Sequence, residues 1–241
     1  MINNYLENVF PVSGLEKNKT DVIKEILALF LVLVHARANT VLSEIILINY
    51  ILMVSGYLIC SYFFFISGYG MMVSFNKNPN YVKNIIKRNI LPLYIQYMLI
   101  LIITVIYRSL MLKENIEWLF IIRSLTFSGT YVIYGWYIQV AIIVYLLYFV
   151  VFSLKISKKA KKALFAGCIL LYILVCIIIN CKSMWYDSVI CVVMGIYIAD
   201  LPRSNNNTKY SVLMRIVCLL GATIFIVLGN STIITKIGLP E

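Results

Sequence analysis

Long apolar runs, separated by short polar loops, fill most of this chain. They cover Val22 to Ala36, Ile51 to Phe75, Ile90 to Tyr107, Val132 to Phe152, Ala163 to Asn180, Met184 to Ile198 and Ser211 to Leu228. Runs of about 20 such residues mark helices able to cross the hydrocarbon core of a bilayer. Strands of a membrane barrel would alternate apolar and polar positions, and these runs do not. The pattern predicts an all-α polytopic membrane bundle of about seven transmembrane helices. The first run is short for a core of about 30 Å. Its outer end is therefore expected to stop inside the bilayer, or to open on a polar cavity lined by His35, Arg37 and Asn39.

The polar stretches divide the rest. Residues 1–20 read as a cytoplasmic N-terminal segment, 21–229 as one membrane domain and 230–241 as a short tail, with no soluble domain and no cleavable signal peptide. Val41 to Tyr50, with Ser43, Glu44 and Asn49, reads as an outer interfacial segment. Asn76 to Arg88 reads as a basic loop turning at Pro79. Arg108 to Tyr131 is too polar for a span and suits an outer amphipathic helix or a re-entrant loop. Lys155 to Lys162 is a lysine loop, and Asp200 to Tyr210 is polar. In the second span, Val54-Ser-Gly-Tyr57 recurs as Ile66-Ser-Gly-Tyr69, and small residues of this kind let helices approach closely.

Composition sharpens this picture. The chain is 62% hydrophobic and 13% charged, with a mean hydropathy of +0.91. Its net charge of +11 would suit a nucleic-acid binder, but the basic residues sit in short loops between apolar spans. Such charge orients a membrane protein and contacts anionic head groups instead. With the N-terminus inside, the inner segments hold Lys17, Lys19, Lys24, Lys77, Lys83, Lys87, Arg88, the five lysines of 155–162, Arg203, Lys209 and Arg215. The outer side holds only Arg37, Arg108, Lys113, Arg123, Lys182 and Lys236. That asymmetry predicts an inside N-terminus and an outside C-terminus. The six cysteines form no C-x-x-C pair, so neither a metal site nor a disulfide framework is expected.

The sole histidine, His35, lies eleven residues after Lys24 on the first span, roughly 16 Å further along a helix axis. A titratable ring at membrane depth is costly unless it is paired or faces a cavity, which makes it a functional candidate. Neutral imidazole, with a reference pKa near 6.5, can take a proton from a hydroxyl near pH 7. The competing reading is a structural histidine bonded to a neighbouring helix.

Lys24-x10-His35 resembles the basic-x10-His signature of the membrane acyltransferase-3 family. Phe63-Phe-Phe-Ile-Ser-Gly-Tyr69 is similar to that family's aromatic-Ser-Gly-aromatic second helix. Arg88 followed by Ile90-Leu-Pro-Leu-Tyr94 resembles its third-helix entry, and Trp136-Tyr137-Ile138 its later Trp-aromatic-aliphatic motif. The matching pieces run in order over residues 20–155. The chain departs from the family in having room for fewer spans, and in Val34, where a glycine is common before the histidine.

The resemblance implies an integral membrane O-acyltransferase that moves an acyl group, typically acetyl, to a hydroxyl of an extracytoplasmic glycan. His35 would be the base or the transient acyl carrier. Lys24 and Arg88 would bind an acyl-CoA donor through its phosphates, with no resident cofactor or metal. Arg37, Ser67 and Trp136 are weaker candidates for the acceptor cavity, and Arg37 suits an interfacial anchor equally well. The expected setting is a bacterial plasma membrane, with the lipid bilayer as partner, no nucleic acid, and a homo-oligomer or a partner subunit; the copy is either truncated at its C-terminus or one that needs a partner. A glycan or small-solute transport module and an inactive truncated homologue stay open, because each also places polar residues at depth.

Overall fold

The computed structural model of the chain describes residues 17–36, 45–127, 129–132 and 134–200, and it is all-helical, with no strand among them. Its helices are α1 (Lys17–Ala36), α2 (Ile46–Lys77), α3 (Tyr81–Ile85), α4 (Leu91–Leu110), α5 (Trp118–Leu125), α6 (Trp136–Ser153), α7 (Lys158–Ile178) and α8 (Ile190–Ala199). A π-turn, Ile86–Ile90, joins α3 to α4, and a 3₁₀ turn, Ser183–Trp185, precedes α8. Among the described residues, four stretches are long and apolar enough to cross a membrane: Val54–Lys77, Tyr81–Leu110, Trp136–Ser153 and Lys158–Ile178. The expected seventh span, the tail and most of the N-terminal segment lie outside the described residues.

Several boundaries differ from the expected ones where polar residues continue a helix. α2 begins at Ile46, inside the expected interfacial segment, and runs unbroken for 32 residues. The basic loop ends at Asn80: Tyr81 to Arg88 are already helical, because nothing after Pro79 breaks the helix. Likewise α7 starts at Lys158, where the Ser157 hydroxyl caps it by accepting from the Ala160 N–H at 3.2 Å. Lysine is a good helix former, so a lysine run next to an apolar run extends a helix. The expected sixth span shortens to α8, ten residues long. Within Arg108 to Tyr131, the helix α5 carries exposed Trp118, Leu119 and Ile122 on one side and the fully buried Ser124 on the other.

The chain divides into two compact units, one holding residues up to Ile66 and the other Ser67–Asp200. In the first, Val22, Ile26, Leu29, Val32 and Leu33 of α1 are exposed, as lipid-facing positions should be. Leu27, Leu31 and Val34 pack with Ile48, Leu52, Ile59 and Phe63 of α2. In the second unit, α6 is the central rod and touches α3, the π-turn, α4, α7 and the 3₁₀ turn. Its Tyr148 and Phe152 stack at 4.0 Å, Phe165 of α7 meets both edge-on, and the Tyr148 hydroxyl donates to the Met71 carbonyl at 3.1 Å. α8 crosses α2 so closely that a Cβ at Gly68 would run into the Val192 carbonyl.

Candidate functional site

In the first unit the site is built on α1. Thr20, Asp21, Lys24, Leu27, Leu31, Val34 and His35 are the buried or half-buried positions among the described side chains of this helix, and their neighbours are exposed. They recur every three to four residues, so they form one stripe, the same that packs on α2. Eleven residues make about three turns. Lys24 and His35 therefore share this face roughly 16 Å apart, with His35 in the last turn.

The Val34 departure has a local answer. Its side chain is buried against Leu52 and Ile59 and reaches Gly56 of the first Val-Ser-Gly-Tyr copy, where a Cβ would lie 3.0 Å from Val34 Cγ1. A larger residue on α1 is thus met by the missing side chain on α2, and His35, one position on, keeps a half-buried place. Lys24 Nζ pairs with Asp21 at 3.0 Å, both side chains being 42% exposed. An exposed pair at this spacing is worth about 0.3–0.5 kcal/mol, which a polyanionic ligand could easily displace.

Arg88, Ser67 and Trp136 belong to the second unit. Arg88 is exposed on the π-turn beside exposed Lys87. The turn has a sequence cause: Pro92 has no N–H to give the Arg88 carbonyl four residues back, and a widened turn accommodates it. Tyr81 donates to Asn89 Oδ1 at 3.3 Å across this turn. Single π-turns inside α-helices are frequent at functional sites. Ser67 is half-buried on α2, next to the Gly68 contact with α8, so its motif has a packing role whatever else it does. Trp136 opens α6 with its ring edge-on to Tyr137 at 5.9 Å. Arg37, Asn39 and Glu44 lie outside the described residues.

Two polar anchors went unread in the sequence. Gln139, fully buried on α6, places its amide Nε2 2.8 Å from the Gly129 carbonyl, 3.0 Å from the Ser124 carbonyl and 2.7 Å from the Tyr97 hydroxyl. It holds the α5–α6 connection against α4, where Tyr97, Leu101, Tyr131 and Val132 form a small core. Its signal was a single amide within an apolar span.

At the lysine end, Asp200 accepts from Lys158, from Lys162 at 2.6 Å and from Asn76 at 3.3 Å, tying the ends of α2, α7 and α8. Burial alone would raise the Asp200 carboxyl; the two lysines override it and hold it below the ordinary carboxylate range. Its partners lie 38 to 124 residues away, beyond any local pattern.

Four membrane-length helices among the described residues mark a multi-pass membrane protein, and its first helix carries a half-buried histidine three turns beyond a cation. The chain matches the acyltransferase-3 family, described as an acyltransferase domain, over residues 18–236, and belongs to it. No curated protein and no solved structure matches it.

Proposed function

We propose that the chain is an O-acyltransferase of a bacterial plasma membrane, moving an acyl group, typically acetyl, from acyl-CoA on the inner side to a hydroxyl of a glycan on the outer side. The observation that carries this reading is the single histidine on the α1 stripe, in a chain that matches an acyltransferase family over most of its length. Neutral His35 takes the acceptor proton while the hydroxyl oxygen attacks the thioester carbonyl, and the proton then passes to the departing thiolate. Lys24 and Arg88 hold the donor phosphates, Arg88 with a guanidinium fork and Lys24 as a point charge. Arg37, Ser67 and Trp136 are assigned to the acceptor side.

A general base contributes about 10²–10⁴-fold. His35→Ala should therefore lower transfer of labelled acetyl from acetyl-CoA to membrane glycan by at least about 100-fold, while the protein accumulates normally in membranes. Transfer at the wild-type rate in that variant would overturn the assignment of His35, and absence of transfer by the wild-type protein would leave the transport reading in its place. Lys24→Gln and Arg88→Gln should raise KM for the donor with less effect on kcat.

A further inference from the structure

The end of α7 opposite its lysines carries a thiol pair. The helix stops at Asn180, which takes the left-handed conformation at φ 52°. The Asn180 N–H donates to the Ile177 carbonyl at 3.1 Å, and the Cys181 N–H to the Cys176 carbonyl at 2.8 Å. This two-bond cap brings together the side chains three residues inside the helix end and two residues beyond its last half-helical residue, usually as an apolar contact. Here both are cysteines, and the 2.8 Å main-chain bond holds them side by side. Cys176 is buried and Cys181 half-buried, so one thiol is accessible and the other is shielded behind it. One turn earlier, the Tyr172 hydroxyl donates to the Trp185 carbonyl at 3.1 Å. Residues 181–185 are thus folded back along the last turns of α7.

We propose that Cys176 and Cys181 form a redox pair that closes into a disulfide across the C-cap of α7. Disulfides need Cα atoms about 4.4–6.8 Å apart and Cβ atoms about 3.5–4.5 Å apart. Two residues joined by a main-chain hydrogen bond at a C-cap that brings their side chains together need little movement to meet that. The accessible Cys181 thiolate attacks one sulfur of an external disulfide, either a small disulfide or that of a thiol oxidoreductase, and expels the other as a thiolate. Cys176, deprotonated in turn, displaces the second sulfur from Cys181. The protein loses two thiol protons and two electrons, and the external disulfide becomes two thiols. On the orientation proposed above this end faces outside the cell, where disulfides persist, and the inference rests on that reading for its oxidant. The bond fastens the connection leading into α8, which packs on Gly68.

The test blocks free thiols with an alkylating agent as cells are lysed, reduces the denatured protein, and tags newly exposed thiols with a polyethylene glycol maleimide. A variant keeping only Cys176 and Cys181 should gain two tags after reduction, and none without it. Cys176→Ser or Cys181→Ser in that background should each remove both. Absence of reduction-dependent tags in protein taken from cells overturns the proposal, even if added oxidised glutathione closes the bond in the purified protein. His35→Ala should keep both tags, so retained acyl transfer in that variant would sink the role of His35, and absence of transfer by the wild-type protein the enzymatic reading, without touching this one.

Discussion

Gly68 lies in the second Ser-Gly-Tyr copy and Gly70 directly follows it, and their surroundings separate close packing from mere smallness. A Cβ at Gly68 would strike the backbone carbonyl of Val192, which cannot turn aside, whereas a Cβ at Gly70 meets nothing within 4 Å. Overpacking a well-filled contact costs about 1–3 kcal/mol, while glycine to alanine in a helix gains about 0.5–1 kcal/mol where there is room. Gly68→Ala should therefore lower the melting temperature of the detergent-solubilised protein, and Gly70→Ala should leave it unchanged or raise it. Equal effects would show that α8 does not bear on α2 at this point. Gly56 is the intermediate case, since the atom it faces belongs to the Val34 side chain, which can shift by a few tenths of an ångström.

Elements are held by polar anchors at their ends, and Asp200 is the clearest. Lys162 is 14% exposed in its pair with Asp200, against 41% for Lys158, so its loss leaves a less hydrated carboxylate contact broken. Lys162→Gln should destabilise the protein by about 1–3 kcal/mol and Lys158→Gln by under about 1 kcal/mol. Thermal unfolding of the two variants measures the difference, and the reverse order would overturn the assignment. The pH dependence has a fixed sign. The folded carboxyl lies below its ordinary range, so its contribution is present above that range and is lost as pH falls through the lowered value.

The same clamp explains what the sequence concealed. Helix cores were legible because apolar runs of membrane length have few alternatives, and His35 and Lys24 were legible because their spacing lies within one helix. The starts of α3 and α7 were not: lysines and asparagines resemble loop until the Ser157 cap of α7, and the lack of a breaker after Pro79, are weighed. Gln139 and Asp200 act through partners 10 to 124 residues away, and only tertiary packing decides which polar residue of a span becomes an anchor.

Across the chain, basic residues fall unevenly between the two ends of the second unit. Lys77, Lys83, Lys87, Arg88 and the five lysines of 155–162 flank helix ends on one side, while Arg108, Lys113, Arg123 and Lys182 flank the other. A basic residue beside an anionic inner leaflet is worth about 1 kcal/mol. Discounting Lys158 and Lys162, which Asp200 neutralises in part, the excess is about 3–5 kcal/mol, or between two and four powers of ten in favour of the lysine end facing inward. A cysteine-free background carrying Leu112→Cys or Ile156→Cys tests this without altering any charge, since both positions are exposed. A membrane-impermeant maleimide on intact cells should label Leu112→Cys and reach Ile156→Cys only after permeabilisation. The opposite pattern would put Arg88 on the outer side, away from any cytoplasmic acyl-CoA, and acyl transfer by the route proposed could not operate.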